Sequence, residues 1–411
     1  MNLLTELKEG LSISWSAIRA NKLRSALTTL GIVIGIVTVT LMGTAIEGLN
    51  RAFLKSISFI GADVLYVQRF NWFTHTHEEW MKMQKRRPIS LSQVEALDKQ
   101  LTMARAICPM ADSNERLQYK KRRSDNVSVL GTTEQFLLTG NLTVAQGRFM
   151  SPSEVQGGRP ICVIGYQVAT NLFPRESPLG NKIMIGERAF EVVGVLDKLG
   201  SFLDGGSLDN QAIIPIKQFV SSFWSYPDYQ IQVKISEVTQ IEDAKEELRL
   251  AMRKIRRLAP TDPDDFSINQ QDQFLEMFHR VAGTIAGIGL FITGLSLFVG
   301  GIGIMNIMFV SVAERTREIG IRKALGATRW NILLQFLIEA VVLCCLGGVV
   351  GIGIGAGGAV VMSKLAGFTT QVSMSVVAAA FAFSALVGVL FGVWPARSAA
   401  VLDPIVALRY E

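Results

Sequence analysis

From Val281 to Val312 the chain runs for roughly 32 residues without a single charge, and a chain carrying such a run does not fold as an ordinary water-soluble globule. A straight helix of that length would measure about 48 Å at 1.5 Å per residue, whereas the hydrocarbon core of a bilayer needs only about 30 Å. The surplus is expected to tilt or to continue into water as a stalk. Three further stretches are nearly free of charge: Leu27 to Ile46, Ile332 to Met362 with Glu339 inside it, and Val372 to Trp394. Each satisfies the length criterion for a spanning helix. Transmembrane helices are therefore expected at 25–48, 281–312, 331–362 and 372–394.

Composition supports a divided chain. Across 411 residues, 49% are hydrophobic and 18% charged, with a mean hydropathy of +0.31. That is too apolar for a soluble enzyme and too charged for a bundle buried throughout in lipid. The charge is concentrated between the first and second apolar runs, in a polar region of about 230 residues that is large enough to bury cores of its own. The expected fold is a membrane protein of four transmembrane α-helices with a large α+β extracytoplasmic domain, 49–278, inserted between spans one and two.

Lys and Arg near the membrane ends set the orientation. The amino-terminal flank carries Lys8, Arg19, Lys22 and Arg24; the segment after span two carries Arg315, Arg317, Arg322, Lys323 and Arg329; the tail carries Arg397 and Arg409. Only Lys364 lies between spans three and four. Both termini are expected in the cytoplasm, with the chain crossing the cell (inner) membrane several times. The net charge of +6 needs no nucleic-acid partner, because much of the excess sits at these flanks. Within 1–24, Leu4, Leu7, Leu11, Trp15 and Ile18 recur at helical spacing opposite Lys8, Glu9 and Arg19, forming a cytoplasmic amphipathic helix that lies on the membrane surface or packs on the spans. Span one exceeds a signal-peptide apolar core, and EGLNRAFLKS after it lacks a small-x-small cleavage site, so it is expected to remain as an anchor.

The polar region reads as short strands separated by Gly, Pro and Asn: VLYV, NVSVLGT, RPICVIG, NKIMIG, AFEVVGVL, NQAIIPI and YQIQVKI. A helix is expected to start at PISLSQVEAL, capped by Ser90 or Ser92, with Glu95 three residues after Ser92 as a capping box requires. IEDAKEELRLAMRKIRRLA is amphipathic at helical period, and TDPDDFSINQ follows as turn and strand. Two subdomains are expected, one built from both ends of the region and a strand-rich one inserted at about 110–225. Cys108 and Cys162 lie in strand-like apolar surroundings, compatible with a disulfide or with buried free thiols. His75 and His77 beside Glu78 and Glu79 form either a metal-ligating pair or a solvated loop. The run Lys120, Lys121, Arg122 and Arg123, with Lys85, Arg86 and Arg87, is a solvated face or a contact for lipid headgroups or an acidic partner.

Catalytic signatures are missing from these 411 residues. G-x-x-x-x-G-K-[ST], G-x-S-x-G and H-E-x-x-H do not occur, and three His leave few members for a triad. No catalytic residue, metal ligand or cofactor is expected on this chain. The glycine strings GGIGIMN, with Gly300, Gly301 and Gly303, and GGVVGIGIGAGG lie inside apolar spans. There small residues let helices approach closely. Between spans two and three, ERTREIGIRKALGATRW concentrates charge in a short cytoplasmic helix, 314–328, in which Glu318 and Arg322 form a favourably ordered i, i+4 pair. Ile319, Ile321 and Leu325 are expected to be available to a partner groove or the bilayer surface.

Several strings together resemble the permease part of MacB-type ABC transporters, whose superfamily includes the lipoprotein-release subunits LolC and LolE and also FtsX. They are NKLRSALTTLGIVIGI, AQGRFMSPSE, PLGNKIMIGERAFEVVGVL, GGIGIMNIMFVSVAERTREIGIRKALGA and WPARSAAVLDPIVALRYE. The resemblance covers nearly the whole chain. It implies a porter-like outer subdomain and an FtsX-like permease domain at 279–411. It also implies coupling to an ATPase through Glu314, Arg315, Arg317, Glu318, Arg322 and Lys323. About 24 residues precede span one, where MacB carries a fused ATPase, so the ATPase dimer is expected on a separate chain that binds the ATP and Mg. A second permease copy, identical or paralogous, is implied, together with a MacA-like periplasmic adaptor, membrane lipid and an outer-membrane exit duct. The implied activity is export of substrates (drug, peptide, toxin or lipid-like) already outside the inner membrane. Lipoprotein release and FtsX-like regulation of a cell-wall hydrolase are the alternatives within the superfamily. The size of the outer domain and its GRF and PLG strings favour the MacB type.

Overall fold

The structure of the protein, a computed structural model, describes residues 22–57, 60–74, 76–200, 207–224, 227–366 and 373–408. Most of the expected amphipathic helix at 1–24 lies outside the described residues, as do His75 and Arg409. The chain forms two compact units, one of residues 53–278 and the other of 1–52 together with 279–411.

Helix α1 (Lys22–Ile57) carries the first apolar run. The outer unit then opens with β1 (Val64–Gln68), α2 (His77–Gln84) and α3 (Leu91–Asp98). His77, expected in a loop, begins α2, and Thr76 caps that helix by accepting from the Glu79 amide at 3.3 Å. At α3 the reciprocal cap forms at Ser90, one of the two expected caps, with Gln93 as its partner, two residues before the Ser92–Glu95 spacing. Ser90 is the N-cap, and its amide donates to Gln93 Oε1 at 3.2 Å.

Next come the long strands β2 (Ala104–Tyr119) and β3 (Arg122–Thr132), the turn of helix α4 (Phe136–Thr139), and β4 (Val144–Gly147). Helices α5 (Pro152–Gly157) and α6 (Tyr166–Leu172) flank β5 (Ile161–Ile164). Strands β6 (Lys182–Ile185), β7 (Arg188–Leu196) and β8 (Gln211–Pro215) lead through α7 (Ile216–Ser222) to β9 (Gln230–Ile235). Helix α8 (Ile241–Arg256) and β10 (Ser267–Asn269) complete the unit.

Pairing divides these strands at one position. Up to Met110, β2 pairs with β9 in the sheet β10-β1-β9-β2; from Ala111 onward it pairs with β3. The first sheet interlocks two β-α-β units, β1 to β2 across α3 and β9 to β10 across α8. Its inner face, with Leu65, Val67, Ile107 and Val233, packs on Val94 and Leu97 of α3 and Leu248 and Met252 of α8. In the second sheet β3 pairs with β8, β8 with β5, β5 with β7, β7 with β6 and β6 back with β2, which closes a ring around Leu117, Val127, Val129 and Phe190. Strand β5 is apolar at every position because it is covered on both sides: Cys162 and Ile164 face that core, Ile161 and Val163 a second one with Phe136, Phe149 and Met150.

Cys108 and Cys162 are free thiols belonging to different cores, and burial pushes both thiols up. The string AQGRFMSPSE is a structural clasp. Arg148 grips both carboxylate oxygens of Glu154 at 2.7 Å, and Glu154 accepts from the Ser151 amide at 3.0 Å to cap α5. The guanidinium holds that carboxyl down at about 2. Of the basic run, Lys120 and Arg122 pair with Glu176, and Arg123 with Asp125.

The membrane unit consists of α1 to Ala52, the membrane part of α9 (Gln271–Glu314), α10 (Thr316–Ala324), α11 (Arg329–Ala366), α12 (Met374–Val401) and α13 (Pro404–Leu408). Four of the described helices are long and apolar enough to cross a membrane: α1, α9, α11 and α12. At 44 residues, α9 is about 66 Å long and starts ten residues before the apolar run, at Gln271. The apolar run is thus one part of a longer continuous helix that begins in polar sequence.

Glycine brings these helices together. A Cβ on Gly31 of α1 would stand 2.9 Å from Gly300 Cα of α9, and one on Gly301 would strike the Phe391 ring. Gly347, Gly351 and Gly355, four residues apart on α11, meet Ile32, Ile36 and Thr40, four residues apart on α1. Gly303 is half-buried. Substituting Gly351, where a Cβ would lie 2.8 Å from Ile36 Cβ, tests the contact against Gly353, where nothing lies within 4 Å. Gly351→Leu is expected to destabilise the detergent-solubilised protein by about 1–3 kcal/mol, read as a lowered melting temperature, whereas Gly353→Ala melts at or above the parent.

Candidate functional site

Helix α9 stops at Glu314 because Arg315 leaves helical geometry, with φ −104° and ψ 14°. The hydroxyl of Thr316 donates to the carbonyls of Val312 (3.1 Å) and Ala313 (2.9 Å), supplying donors to the frayed end. After α10 the chain reverses through Gly326 at φ +96°. The Gly326 amide donates to Lys323 O and the Ala327 amide to Arg322 O, a Schellman closure that needs a left-handed residue at this point. Thr328 then caps α11, its Oγ1 accepting from the Asn331 amide at 3.3 Å. The string KALGATRW is therefore the stop signal of one helix and the start signal of the next.

Three basic residues fasten α10 to its neighbours. Arg315 reaches both oxygens of Glu339 on α11, at 3.4 and 3.5 Å, where Glu339 is only 3% exposed. Arg322 donates to Gln335 Oε1 at 2.9 Å while its other nitrogen holds Glu318 at 2.5 Å. The Lys323 ammonium inserts between the carbonyls of Ala400 (2.7 Å) and Leu402 (2.6 Å) at the end of α12. A cation at the negative end of a helix is favourable there. Burial, followed by the nearby Arg329, lowers the pKa of Lys323.

The residues expected to transmit force thus divide into two sets. Arg315, Arg322 and Lys323 point inward or sideways as ties, whereas Glu314, Arg317 and Glu318 are exposed. Ile319 is a correction to the sequence reading. It is 1% exposed and packs with Ile332 and Phe336, so it is unavailable to a partner. Ile321 and Leu325 are exposed, as is Trp330, and together with the acidic and basic groups they form a mixed outward face. Sequence reasoning missed Glu339 and Gln335 as members of the site. A lone carboxylate inside an apolar run was the available signal, because such a group needs a partner.

Helices α1, α9, α11 and α12 make this a multi-pass membrane protein. Residues 25–251 match the family described as MacB-like periplasmic core domain, and residues 290–404 match FtsX-like permease C-terminal. The chain belongs to the family of MacB-like ABC transporter permeases. It is 35% identical over 410 residues to YknZ of Bacillus subtilis, an uncharacterized ABC transporter permease, covering 98% of this chain and 100% of that one. It is 34% identical over 409 residues to the macrolide export ATP-binding/permease protein MacB of Bdellovibrio bacteriovorus, and there it spans 99% of its own length and 62% of the relative's. The crystal structure of the periplasmic region of MacB from Actinobacillus actinomycetemcomitans aligns with 55% of this chain and 97% of that one, at 19% identity and a TM-score of 0.45. A permease of this family works with an ATPase, fused or separate.

The tie between Arg315 and Glu339 is expected to be asymmetric. Arg315 has 23% side-chain exposure and can turn toward water when Glu339 is lost, whereas Glu339 cannot. Arg315→Leu should destabilise the protein by about 3–5 kcal/mol, Glu339→Leu by less, and the double replacement should recover part of the loss. Detergent melting of the three variants gives the comparison; equal losses from the two single variants would contradict it.

Proposed function

We propose that this chain is the membrane subunit of an export machine in which a separate ATPase dimer grips α10. ATP hydrolysis there moves α10 and with it α9, whose first turns belong to the outer unit. Substrates already outside the inner membrane are driven onward by that movement and do not pass through a channel between the spans. ATP and Mg bind to the partner, consistent with the lack of a G-x-x-x-x-G-K-[ST] loop in this sequence. Both chain ends and α10 face the cytoplasm, the outer unit faces the other side, and the complex contains two permease copies. A MacA-like adaptor engages the outer unit, with an exit duct where an outer membrane exists.

The observation that carries this reading is the two-sidedness of α10. Its inward side is tied to α11 by Arg315 and Arg322 and to α12 by Lys323, while its outward side presents Glu314, Arg317, Glu318, Ile321 and Leu325. A helix held only by the bilayer surface would transmit little. Fastened to two spans, it transfers a push on its outer face to the bundle.

Reversing two of the outward charges with Arg317→Glu and Glu318→Lys, which leaves the inward ties in place, is expected to weaken co-purification with the ATPase at least fivefold, or to uncouple ATP turnover from transport. Lys364→Glu, at the far end of α11, should behave as the parent. Wild-type behaviour of both variants would leave α10 as a topological anchor. The purified chain alone should hydrolyse no ATP. The proposed orientation is checked with Ser153→Cys on the exposed start of α5. With the half-exposed Cys345 replaced by Ala, that thiol should react with an impermeant reagent in intact cells, over a low background because Cys108, Cys162 and Cys344 are buried; labelling only after membrane rupture would reverse the topology.

A further inference from the structure

The outer face of the first sheet is only partly closed by the core that contains Cys108, Phe136 and Leu142. Met110 stands opposite Gln230, and Cys108 opposite Gln232, on the side of β2 and β9 turned away from α3 and α8. Over this floor lies a cavity of about 390 Å³. One wall is an aromatic group of Tyr66, Trp72 and Phe274, with ring centroids 5.0 and 4.9 Å apart along the series. The opposite wall belongs to a separate apolar cluster and includes Leu130, Phe136 and Leu142. Close-packed interiors contain few voids larger than a water molecule, whereas a volume of several hundred Å³ is the size of a small-molecule site.

The lining is selective in its chemistry. No Asp, Glu, Lys, Arg or His is among the described residues that line it, so a charged occupant would lose its hydration without gaining a counter-charge. Its polar groups are mainly amides. Gln232, 4% exposed, has its Oε1 occupied by the Thr139 hydroxyl at 2.8 Å, which leaves the NH2 with Met110 Sδ at 3.6 Å as its hydrogen-bond partner. A thioether is a weak acceptor. Asn210 also lines the cavity, and its Oδ1 is buried without a partner among the described residues. The wall is fixed in place, since the Tyr66 hydroxyl donates to Ile60 O at 2.5 Å and the Trp72 amide donates to Asn269 Oδ1 at 3.2 Å.

We propose that this cavity binds an uncharged, largely aromatic or apolar small molecule carrying a hydrogen-bond acceptor, which seats between the aromatic wall and Phe136 with its acceptor on the Gln232 amide. Phe274 stands on the first turn of α9, so an occupant packs directly on the root of that helix. The inference rests on the outer unit alone. Its failure would leave the role proposed for α10 untouched, and failure of that role would leave this site standing.

Benzophenone is a suitable probe, being neutral, aromatic, a carbonyl acceptor and photoreactive. Irradiated with the purified full chain in detergent and mapped by mass spectrometry, it is expected to label peptides containing Trp72, Phe136 or Phe274 saturably. Excess xanthone should displace it, and 4-benzoylbenzoate, which carries a carboxylate, should label the same peptides at least tenfold less. Ser128→Phe, placed to fill the cavity from β3, should reduce saturable labelling at least tenfold. Gln232→Met combined with Thr139→Val, which removes the amide without leaving the buried Thr139 hydroxyl deprived of its acceptor, should weaken it severalfold while the melting temperature stays near the parent's. The proposal is overturned if labelling is confined to the membrane helices. It is equally overturned if the carboxylate probe labels the cavity peptides as well as benzophenone does, or if the variants that fold label like the parent.

Discussion

Where lipid surrounds a helix, the backbone is satisfied within that helix and apolar side chains gain nothing by leaving the tails. Association then depends on how closely two backbones can approach. In this protein that approach is set by α1. One side of it meets Gly300 through Gly31, and another presents Ile32, Ile36 and Thr40 to the glycine ladder of α11. Helices α11 and α12 meet through glycines of their own, a Cβ on Gly388 standing 2.7 Å from Val341 Cα and one on Gly392 2.6 Å from Ala340 Cβ. Once α9 and α11 lie against a common neighbour, the end of the one and the start of the other are close enough for a nine-residue helix to be tied between them.

The ties on α10 differ in kind. The Glu318–Arg322 pair is partly exposed and worth about 0.2–0.5 kcal/mol to the helix, so it adds little to what holds α10 in place. Arg315 and Glu339 form a largely desolvated pair whose main effect is to forbid separation, because the Glu339 carboxylate left alone in the interior is heavily penalised. Lys323 acts on a third element by neutralising the carbonyl end of α12. Helix α10 is therefore weakly stabilised on its outer side and strongly held on its inner one.

Much of this was legible in the sequence. The charge-free runs located the spans because hydrocarbon imposes a composition that no local context overrides. The apolar strands β3, β5, β7, β8 and β9 were evident for a similar reason, being covered on one or both faces. What escaped reading had mixed signals. Strand β2 was seen only around Ala106–Met110, because its second half, DSNERLQY, alternates polar outward residues with few apolar ones. The capping box at α3 was assigned to Ser92 and Glu95 when Ser90 and Gln93 fit the same spacing two positions earlier. At the candidate site the charged string was conspicuous, but spacing alone does not say which charges turn inward. Ile319 was misread for the same reason, since α10 is too short and too evenly mixed for its apolar face to show. Glu339 carried information that becomes specific only when Arg315 is beside it.

Strand β2 has a consequence for how the outer unit can be dissected or can evolve. Its hydrogen bonding passes from β9 to β3 between Met110 and Ala111 with no loop between, so the two sheets share one uninterrupted piece of backbone. A deletion that removes 110–225 as if it were a detachable cassette would sever that backbone in mid-strand and leave two raw edges facing solvent. Grafting the ring onto another scaffold, or trimming it from this one, calls for an excision that replaces half a strand. Lineages that enlarge or shrink this region are expected to do so at the β-turns beyond Tyr119, where the backbone is already free to change length.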